Sequence, residues 1–335
     1  MNQYLNRRAQ MKTKILTLAL VSALGLVGCG SDDENDNLDL PQLDIVETAI
    51  SDDRFETLVA AVTAADLVGT LQGEGPFTVF APTDDAFAAY LTENNLTAQE
   101  LLNADSLGDI LTYHVLASEV LSGAAISVAG SSENQVATVN GADVALSLTG
   151  EDLYVNTSKV IVTDVQASNG VIHAIDKVLV PPTANALSDD TKTIAELVTA
   201  LSTASSPEFT ELYDAVVATS LVDTLNSNGP FTVFAPTDAA FNAIDTSGLT
   251  TDQLKEILLQ HVVSGNVDSV MAYALNGSDV TTANTAGSKV SVLVQDGKLT
   301  IEGAEVVITD VKASNGVIHV ISSVIATTDT PVLEM

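Results

Sequence analysis

The sequence predicts an α+β fold that the chain builds twice. A stretch of nine residues, Pro76–Asp84, recurs letter for letter as Pro230–Asp238, and later stretches recur in the same order. Each copy is much longer than the repeats of about 20 to 50 residues that stack into solenoids, so each copy is a domain. In both copies the apolar residues first follow the spacing of helices and later the alternation of strands.

Helical spacing opens each copy. Phe55, Leu58, Val59 and Val62 fall at i, i+3, i+4 and i+7, which places them on one face of a helix. The same spacing returns in the second copy at Phe209, Leu212, Tyr213 and Val216. Residues typical of helix N-termini mark the predicted starts, which are Asp53 with Glu56, Thr83, Thr97, Thr193 with Glu196, Ser206 before Pro207, Thr237 and Thr250.

Strand patterns follow the helices. The repeated Phe-Thr-Val-Phe-Ala-Pro predicts a buried strand that ends at proline. Val290, Val292 and Val294 alternate with more polar positions before an Asp296-Gly297 turn, which predicts a hairpin. Asn140-Gly141, Asn169-Gly170 and Asn315-Gly316 predict further tight turns, because Asn and Gly tolerate a positive φ.

Composition limits the class of protein. The 335 residues include 44 acidic and 12 basic ones, a formal net charge of -32. The charged residues before Cys29 are four basic ones, Arg7, Arg8, Lys12 and Lys14. The chain from Cys29 onward therefore carries 8 basic and 44 acidic groups, a net charge of -36. A hydrophobic content of 46% excludes wholesale disorder. A polyanion is repelled by a phosphate backbone, so nucleic acid is excluded as a partner.

The first residues predict export. Lys12 and Lys14 lead into an apolar run, residues 15–27, that is too short for a bilayer core of about 30 Å. A basic start, a short apolar centre and small residues at the end are typical of a secretory signal. We therefore expect a signal peptide at residues 1–28.

The single cysteine predicts an anchor. Leu26-Val27-Gly28-Cys29 resembles the lipobox of bacterial lipoproteins, in which the cysteine carries lipid and the signal is removed before it. The resemblance implies a lipidated Cys29 on an acidic tether, residues 29–41. In such lipoproteins an Asp directly after the cysteine favours retention in the inner membrane, so Gly30 at this position favours the outer membrane. One cysteine allows no internal disulfide and no Cys/His metal site.

The duplication sets the expected domain boundaries. We place the first domain at 42–181 and the second at 191–328, with a linker at 182–190 and a tail at 329–335. Prolines and small polar residues are typical of a short linker.

Two motifs in each copy carry a family resemblance. Thr-Val-Phe-Ala-Pro-Thr-Asp-x-Ala-Phe, and Asn-Gly-Val-Ile-His near the end, resemble the two signature motifs of the fasciclin domain, also called FAS1. Tyr113-His114 resembles the Tyr-His motif of that family, whereas the second copy has Gln260 before His261. The resemblance implies a wedge of β-strands flanked by helices. It also implies an adhesion or matrix-binding module that is secreted or anchored to a membrane.

The shared residues predict structure rather than catalysis. His114 and His261 extend a helical apolar stripe, and His173 and His319 end a Val-Ile run, so we expect core histidines. Thr83, Asp84, Thr237 and Asp238 are expected to cap helices. None of the common nucleophile, phosphate or zinc motifs occurs in the sequence. We therefore expect no enzyme, no catalytic residue, no cofactor and no metal site.

Two functions remain open. The first is an envelope-anchored adhesion or matrix-binding lipoprotein, whose partner is a matrix protein, a glycan or a cell-surface molecule. The alternative is a hydrolase of envelope or extracellular polymers with an unrecognised site. Tandem duplication favours binding over hydrolysis, since two weak binding sites on one chain raise the effective concentration and therefore the avidity.

The family resemblance also indicates where binding takes place. In animal fasciclin domains, an Asp-Ile pair before the second motif and the Tyr-His segment are linked to receptor binding. The matching residues here are Asp164, Val165, Asp310, Val311, Tyr113 and His114. Both acids follow an expected strand end and precede an Asn-Gly turn, so we expect their carboxylates to face solvent.

Overall fold

A computed structural model describes residues 42–182, 186–204 and 208–325, together with the backbone of Leu333–Glu334. The expected signal peptide, Cys29, the tether, the helix start at Ser206 and Pro207, part of the linker and most of the tail lie outside the described residues. Among the described residues, no helix has both the length and the hydrophobicity that a membrane span requires.

The first copy begins with helices, as expected. They are α1 (Ile45–Ser51), a 3-10 turn (Asp53–Phe55), α2 (Glu56–Ala64), α3 (Val68–Leu71), α4 (Asp84–Glu93), α5 (Ala98–Leu102), α6 (Leu107–Tyr113) and α7 (Ser122–Ala129). Thr83 caps α4 and Thr97 caps α5 through its hydroxyl, which confirms both predicted starts. The start predicted at Asp53 is wrong, because Asp52 caps the 3-10 turn and the capping box of the region is Asp44 with Glu47.

Seven strands form the sheet of the first copy. They are β1 (Phe77–Pro82), β2 (Val115–Leu116), β3 (Gln135–Ala137), β4 (Asp143–Thr149), β5 (Asp152–Val155), β6 (Ser158–Ala167) and β7 (Gly170–Ile175). Their order across the sheet is β2-β1-β7-β6-β5-β4-β3. The central pair β1 and β7 is parallel, and the other neighbours are antiparallel.

The second copy repeats this arrangement. Its helices are α8 (Ile194–Ser202), α9 (Thr210–Ala218), α10 (Val222–Leu225), α11 (Asp238–Asn242), α12 (Thr251–Gln260) and α13 (Ser269–Ala274). Its strands are β8 (Phe231–Pro236), β9 (Ile244–Asp245), β10 (Val262–Ser264), β11 (Ser278–Thr281), β12 (Lys289–Gln295), β13 (Lys298–Ile301), β14 (Ala304–Ala313), β15 (Gly316–Ile321) and β16 (Leu333–Glu334). The main sheet has the order β10-β8-β15-β14-β13-β12-β11, while β16 pairs with β9. The α+β fold expected for each copy is confirmed.

The predicted turns are partly right. Asp296 and Gly297 both have positive φ, 51° and 71°, and join β12 to β13 as expected. The turn between β6 and β7 lies one residue earlier than predicted, at Ser168 and Asn169, because Gly170 already pairs with Ala167. Glycine is required there for another reason, since a Cβ on Gly170 would lie 2.1 Å from the carbonyl oxygen of Phe77.

Apolar residues predicted to share a face form the cores. Phe55, Leu58 and Val62 are buried in one cluster with Ile172 of β7. Phe209, Leu212 and Val216 are buried in the corresponding cluster of the second copy. Helices therefore pack on the parallel strand pair in both copies.

Contacts between Cα atoms divide the chain into two compact units. One runs to Ser122 and adds Thr138–Gly141 and Val160–Leu179, and the other holds Gly123–Ala137, Ala142–Lys159 and the chain from Val180 onward. The domain boundaries expected from the duplication remain a prediction.

Candidate functional site

Asp164 and Asp310 lie in matching irregularities of two long strands. The pairing of β6 with β7 shifts register twice between Val160 and Val165, and β14 shifts likewise before Val311. The φ angles of the two acids are 58° and 59°, in the left-handed region that Asp tolerates better than most residues. Each acid therefore occupies a β-bulge within a continuing strand and does not follow a strand end.

Both carboxylates face a helix N-terminus. One oxygen of Asp310 accepts a hydrogen bond from the backbone N–H of Ser269 at 2.8 Å, and the Ser269 hydroxyl donates to the other oxygen. Asp164 accepts the same two hydrogen bonds from Ser122. Because Ser122 and Ser269 are the first residues of α7 and α13, each acid supplies charge where a helix leaves N–H groups unpaired.

The expectation that both carboxylates face solvent is wrong for Asp310. This residue is 3% exposed, since its side chain turns from the bulge toward α13, whereas Asp164 is half-buried. Burial raises the pKa of Asp164, but hydrogen bonds from Ser122 and the nearby His173 outweigh it, so this pKa lies below its usual range. The Asp164 carboxylate is thus charged near neutral pH.

The histidines of the second motif, His173 and His319, form hydrogen bonds with the backbone of the bulges. The N–H of Asp164 donates to His173 Nδ1 at 3.2 Å, and His173 Nε2 lies 2.8 Å from the carbonyl oxygen of Val120. Nδ1 is therefore the acceptor and Nε2 carries the proton. His319 makes the matching contacts with Asp310 and Val267, and burial lowers its pKa.

The Tyr-His segment is buried at the end of α6. Tyr113 is 0% exposed, and His114 bonds the Ile110 carbonyl oxygen through Nδ1 at 2.7 Å. The N–H of Leu179 donates to His114 Nε2 at 2.8 Å, and His261 is bonded in the same way by Ile257 and Ile325. Burial lowers the pKa of His114 and of His261 to about 4.

These contacts confirm the expected core histidines. All four have both ring nitrogens engaged with backbone groups, as their bonds to Asp164, Asp310, Leu179 and Ile325 illustrate. A general base needs a ring nitrogen that can reach a substrate proton. Over the residues that the structure describes, no group of three or more His, Cys, Asp or Glu side chains is arranged to hold a metal ion. In each of the four histidines both ring nitrogens are already bonded to backbone groups.

The threonine and aspartate of the first motif also serve structure. The hydroxyl of Thr83 accepts from the N–H of Ala86, and Thr237 does the same for Ala240. Asp84 reaches across to α2, where it accepts from the N–H of Thr57 at 2.6 Å. Asp238 accepts likewise from Glu211 at 2.9 Å. The predicted capping roles are confirmed, although the two acids cap a neighbouring helix.

The bulges expose apolar residues that the sequence analysis missed. Ile161 is 47% exposed, and Val307, at the matching position of β14, is 50% exposed. Val165 is half-buried, while its counterpart Val311 is 1% exposed. The sequence analysis expected a strand end before Asp164 and Asp310 and no bulge, so it could not identify which apolar residues face outward.

Comparisons with known proteins cover both copies. A sequence model described as the fasciclin domain matches residues 53–181 and 207–327. Protein sll1483 of Synechocystis is 48% identical over 141 residues, which cover 41% of this chain and 73% of that protein. Immunogenic protein MPB70 of Mycobacterium bovis is 33% identical over 144 residues, 41% of this chain and 69% of that protein.

A longer animal protein and a solved structure are also similar to this chain. The transforming growth factor-beta-induced protein ig-h3 of Sus scrofa is 37% identical over 143 residues, which cover 42% of this chain and 20% of that protein. A solved FAS1 domain pair from the insect cell adhesion molecule fasciclin I is 20% identical, with a TM-score of 0.35 over 84% of this chain and 96% of that chain.

Proposed function

The chain belongs to the fasciclin family, and we propose that it is an adhesion or matrix-binding lipoprotein of the cell envelope that acts by binding and not by catalysis. In this proposal the lipid on Cys29 anchors the chain in the outer membrane, and the acidic tether at 29–41 holds two fasciclin domains away from the surface. Several acyl chains on one cysteine would make the anchor stable, whereas a single chain would hold only marginally.

The duplicated bulge is the observation that carries the binding proposal. Ile161 and Val307 expose about half of their surface at the same position of two domains. Both are β-branched residues on a paired strand, so they lose little side-chain freedom when a partner covers them. Two such sites on one chain raise avidity without any further contact.

The site residues suggested by the family resemblance contribute unequally. Asp164 and Val165 are half-buried and lie on the same strand as Ile161, so we propose that these three contact a partner. Asp310, Val311, Tyr113 and His114 are buried, and their role in the proposal is to hold the bulge and the neighbouring helix in place. The net charge of -36 for the chain from Cys29 favours a neutral or basic partner.

The proposal is tested with Ile161→Ser, Val307→Ser and the double variant. Cells that display each chain are scored for adhesion to surfaces coated with collagen, with dextran, or with the protein itself. We expect each single variant to weaken adhesion and the double variant to abolish it, because avidity needs both sites. Stability should change by no more than about 0.5 kcal/mol, as is usual for surface substitutions.

Leu293→Ser provides the matched control. Leu293 is also an exposed aliphatic residue on a strand, with 38% of its surface accessible, but it lies on β12 and is part of neither bulge. This variant should adhere like the wild type. Equal adhesion by the folded double variant would remove the bulges from the binding surface.

A further inference from the structure

An apolar cavity lies in the first domain and has a smaller counterpart in the second. Its volume is about 80 Å³, and the matching cavity of the second domain has about 30 Å³. Protein interiors are packed with few voids larger than a water molecule, so a difference of this size between two copies of one fold needs a cause.

Two substitutions in the lining enlarge the side chains of the second cavity: Ala49 is replaced by Val198, and Val59 by the much larger Tyr213. Val59 of α2 lines the first cavity, and Tyr213, at the matching position of α9, lines the second. Both positions are half-buried and pack against the core of their domain. The tyrosine ring takes up space that the valine leaves open, so the second domain provides a natural filled form of the same site.

Within the described part of the chain, the lining of the larger cavity includes no acidic residue, lysine or arginine that would suit a charged ligand. Most lining side chains are aliphatic, including Val46, Val62 and Leu71. The hydroxyls of Thr63 and Thr112 donate to the carbonyl oxygens of Val59 and Gly108. His114, which also lines the cavity, has both ring nitrogens bonded to backbone groups. A polar ligand would lose its hydrogen bonds to water here and would gain too few from the walls to replace them, which is unfavourable.

The cavity reaches the surface. Thr63, Thr70 and Val139 contribute to its lining and are exposed, and 43% of Val139 is accessible. An apolar group can therefore reach the cavity past these exposed residues. A cavity of about 150 Å³ lined by aliphatic and aromatic residues holds a benzene molecule, so 80 Å³ has room for roughly three or four carbon atoms.

From these observations we propose that the first domain binds a small aliphatic group in this cavity, and that the second domain does not. The group is either the end of an acyl chain or a free small hydrocarbon, since both offer the same chemistry to the walls. The inference concerns a different part of the domain from the bulges and does not depend on adhesion.

The first experiment uses xenon, an apolar atom that fits the cavity. Methyl-labelled full chain, as purified from the cell, is titrated with dissolved xenon and followed by NMR. We expect saturable shifts at Val46, Val62 and Leu71 and none at the matching residues of the second domain. Val59→Tyr should abolish the shifts, and Tyr213→Val should create them in the second domain.

The second experiment identifies the source of the aliphatic group. Octanoate carries an acyl chain, whereas n-butane is a free hydrocarbon. Shifts of the same methyl groups with octanoate assign the site to an acyl chain end, and shifts with butane alone assign it to a free hydrocarbon. If neither ligand shifts these groups, or if Val59→Tyr responds like the wild type, the proposal is overturned. Ala49→Val, which introduces the residue found at position 198, serves as a milder filling variant if Val59→Tyr fails to fold.

Discussion

The carboxylate of Asp310 accepts hydrogen bonds from both the backbone N–H and the hydroxyl of Ser269. The pair joins the bulge of β14 to the first turn of α13, although the two residues are far apart in the chain. The left-handed φ of Asp310 turns the side chain toward the helix. Since Asp164 and Ser122 form the same pair in the first domain, the acid before the second fasciclin motif is a structural link between strand and helix.

Removal of the Asp310 carboxylate should destabilise the second domain. Asp310→Ala leaves the N–H and hydroxyl of Ser269 without their partner in a buried site, and an unsatisfied buried group costs about 1–3 kcal/mol. Urea titrations of the variant and the wild type measure the loss. Asp164→Ala should cost less, because water can reach that half-buried position. A loss below about 0.5 kcal/mol for Asp310→Ala would contradict a structural role.

Much of the fold follows from local patterns. Val290, Val292 and Val294 alternate in sequence and are buried in β12, and the spacing of Phe55, Leu58 and Val62 places them in one core. The parallel pairing of β1 with β7 was not predicted. It joins distant parts of the chain, and neither strand carries a local sign of its partner.

The candidate site was harder to predict for a related reason. The burial of Asp310 depends on a register shift in β14 and on Ser269 in another element, neither of which is visible in the residues around the acid. The core histidines were predictable, because His114 and His261 continue an apolar helical stripe. Exposure of Ile161 depends on the same kind of shift in β6 and was missed.

Replacing Gln260 by methionine should stabilise the second domain. Gln260 is 2% exposed, and its side-chain nitrogen has no hydrogen-bond partner among the residues that the structure describes. Methionine has a similar shape and no amide to desolvate, so we expect the free energy of unfolding to rise by about 1 kcal/mol. Urea titration at neutral pH measures the change.

The first domain provides the matched variant for this prediction. Tyr113 occupies the corresponding position and is fully buried. Tyr113→Gln should lower the free energy of unfolding, since it loses a large buried ring and places an amide in the core. If Gln260→Met is less stable than the wild type, the buried amide has a stabilising role that its contacts do not reveal.

Lipidation of Cys29 has a direct test. Because lipid attaches through the thiol, the signal peptide of Cys29→Ser should remain uncleaved. The variant should also lack the lipid that carries the wild type into a detergent phase. Mass spectrometry of the mature N-terminus and phase partitioning measure both effects. Gly30→Asp provides the control, since it should keep the lipid while shifting the protein from the outer to the inner membrane. A water-soluble wild type with an unmodified thiol would show that the lipobox resemblance is misleading.

Buried histidines make stability depend on pH, and the effect is largest for His114 and His261, while the pKa of His319 is lowered in the same direction. Burial lowers the pKa of His114 and of His261 from 6.5 to about 4 in the folded chain. As the pH falls below about 6.5, the unfolded chain binds protons at these positions while the folded chain does not. The stabilisation is fully present above the unfolded pKa and is lost progressively as the pH falls toward 4.

The free energy of unfolding should therefore decrease on acidification, by at most about 1.4 kcal/mol per pH unit for each histidine. Urea titrations between pH 6.5 and 5 in high salt isolate this effect, because most carboxylates stay charged there and salt screens their repulsion. His114→Gln removes one titrating group, so it should reduce the slope of stability against pH even if it lowers stability overall. A slope that is unchanged in His114→Gln would show that His114 is not a source of the pH dependence.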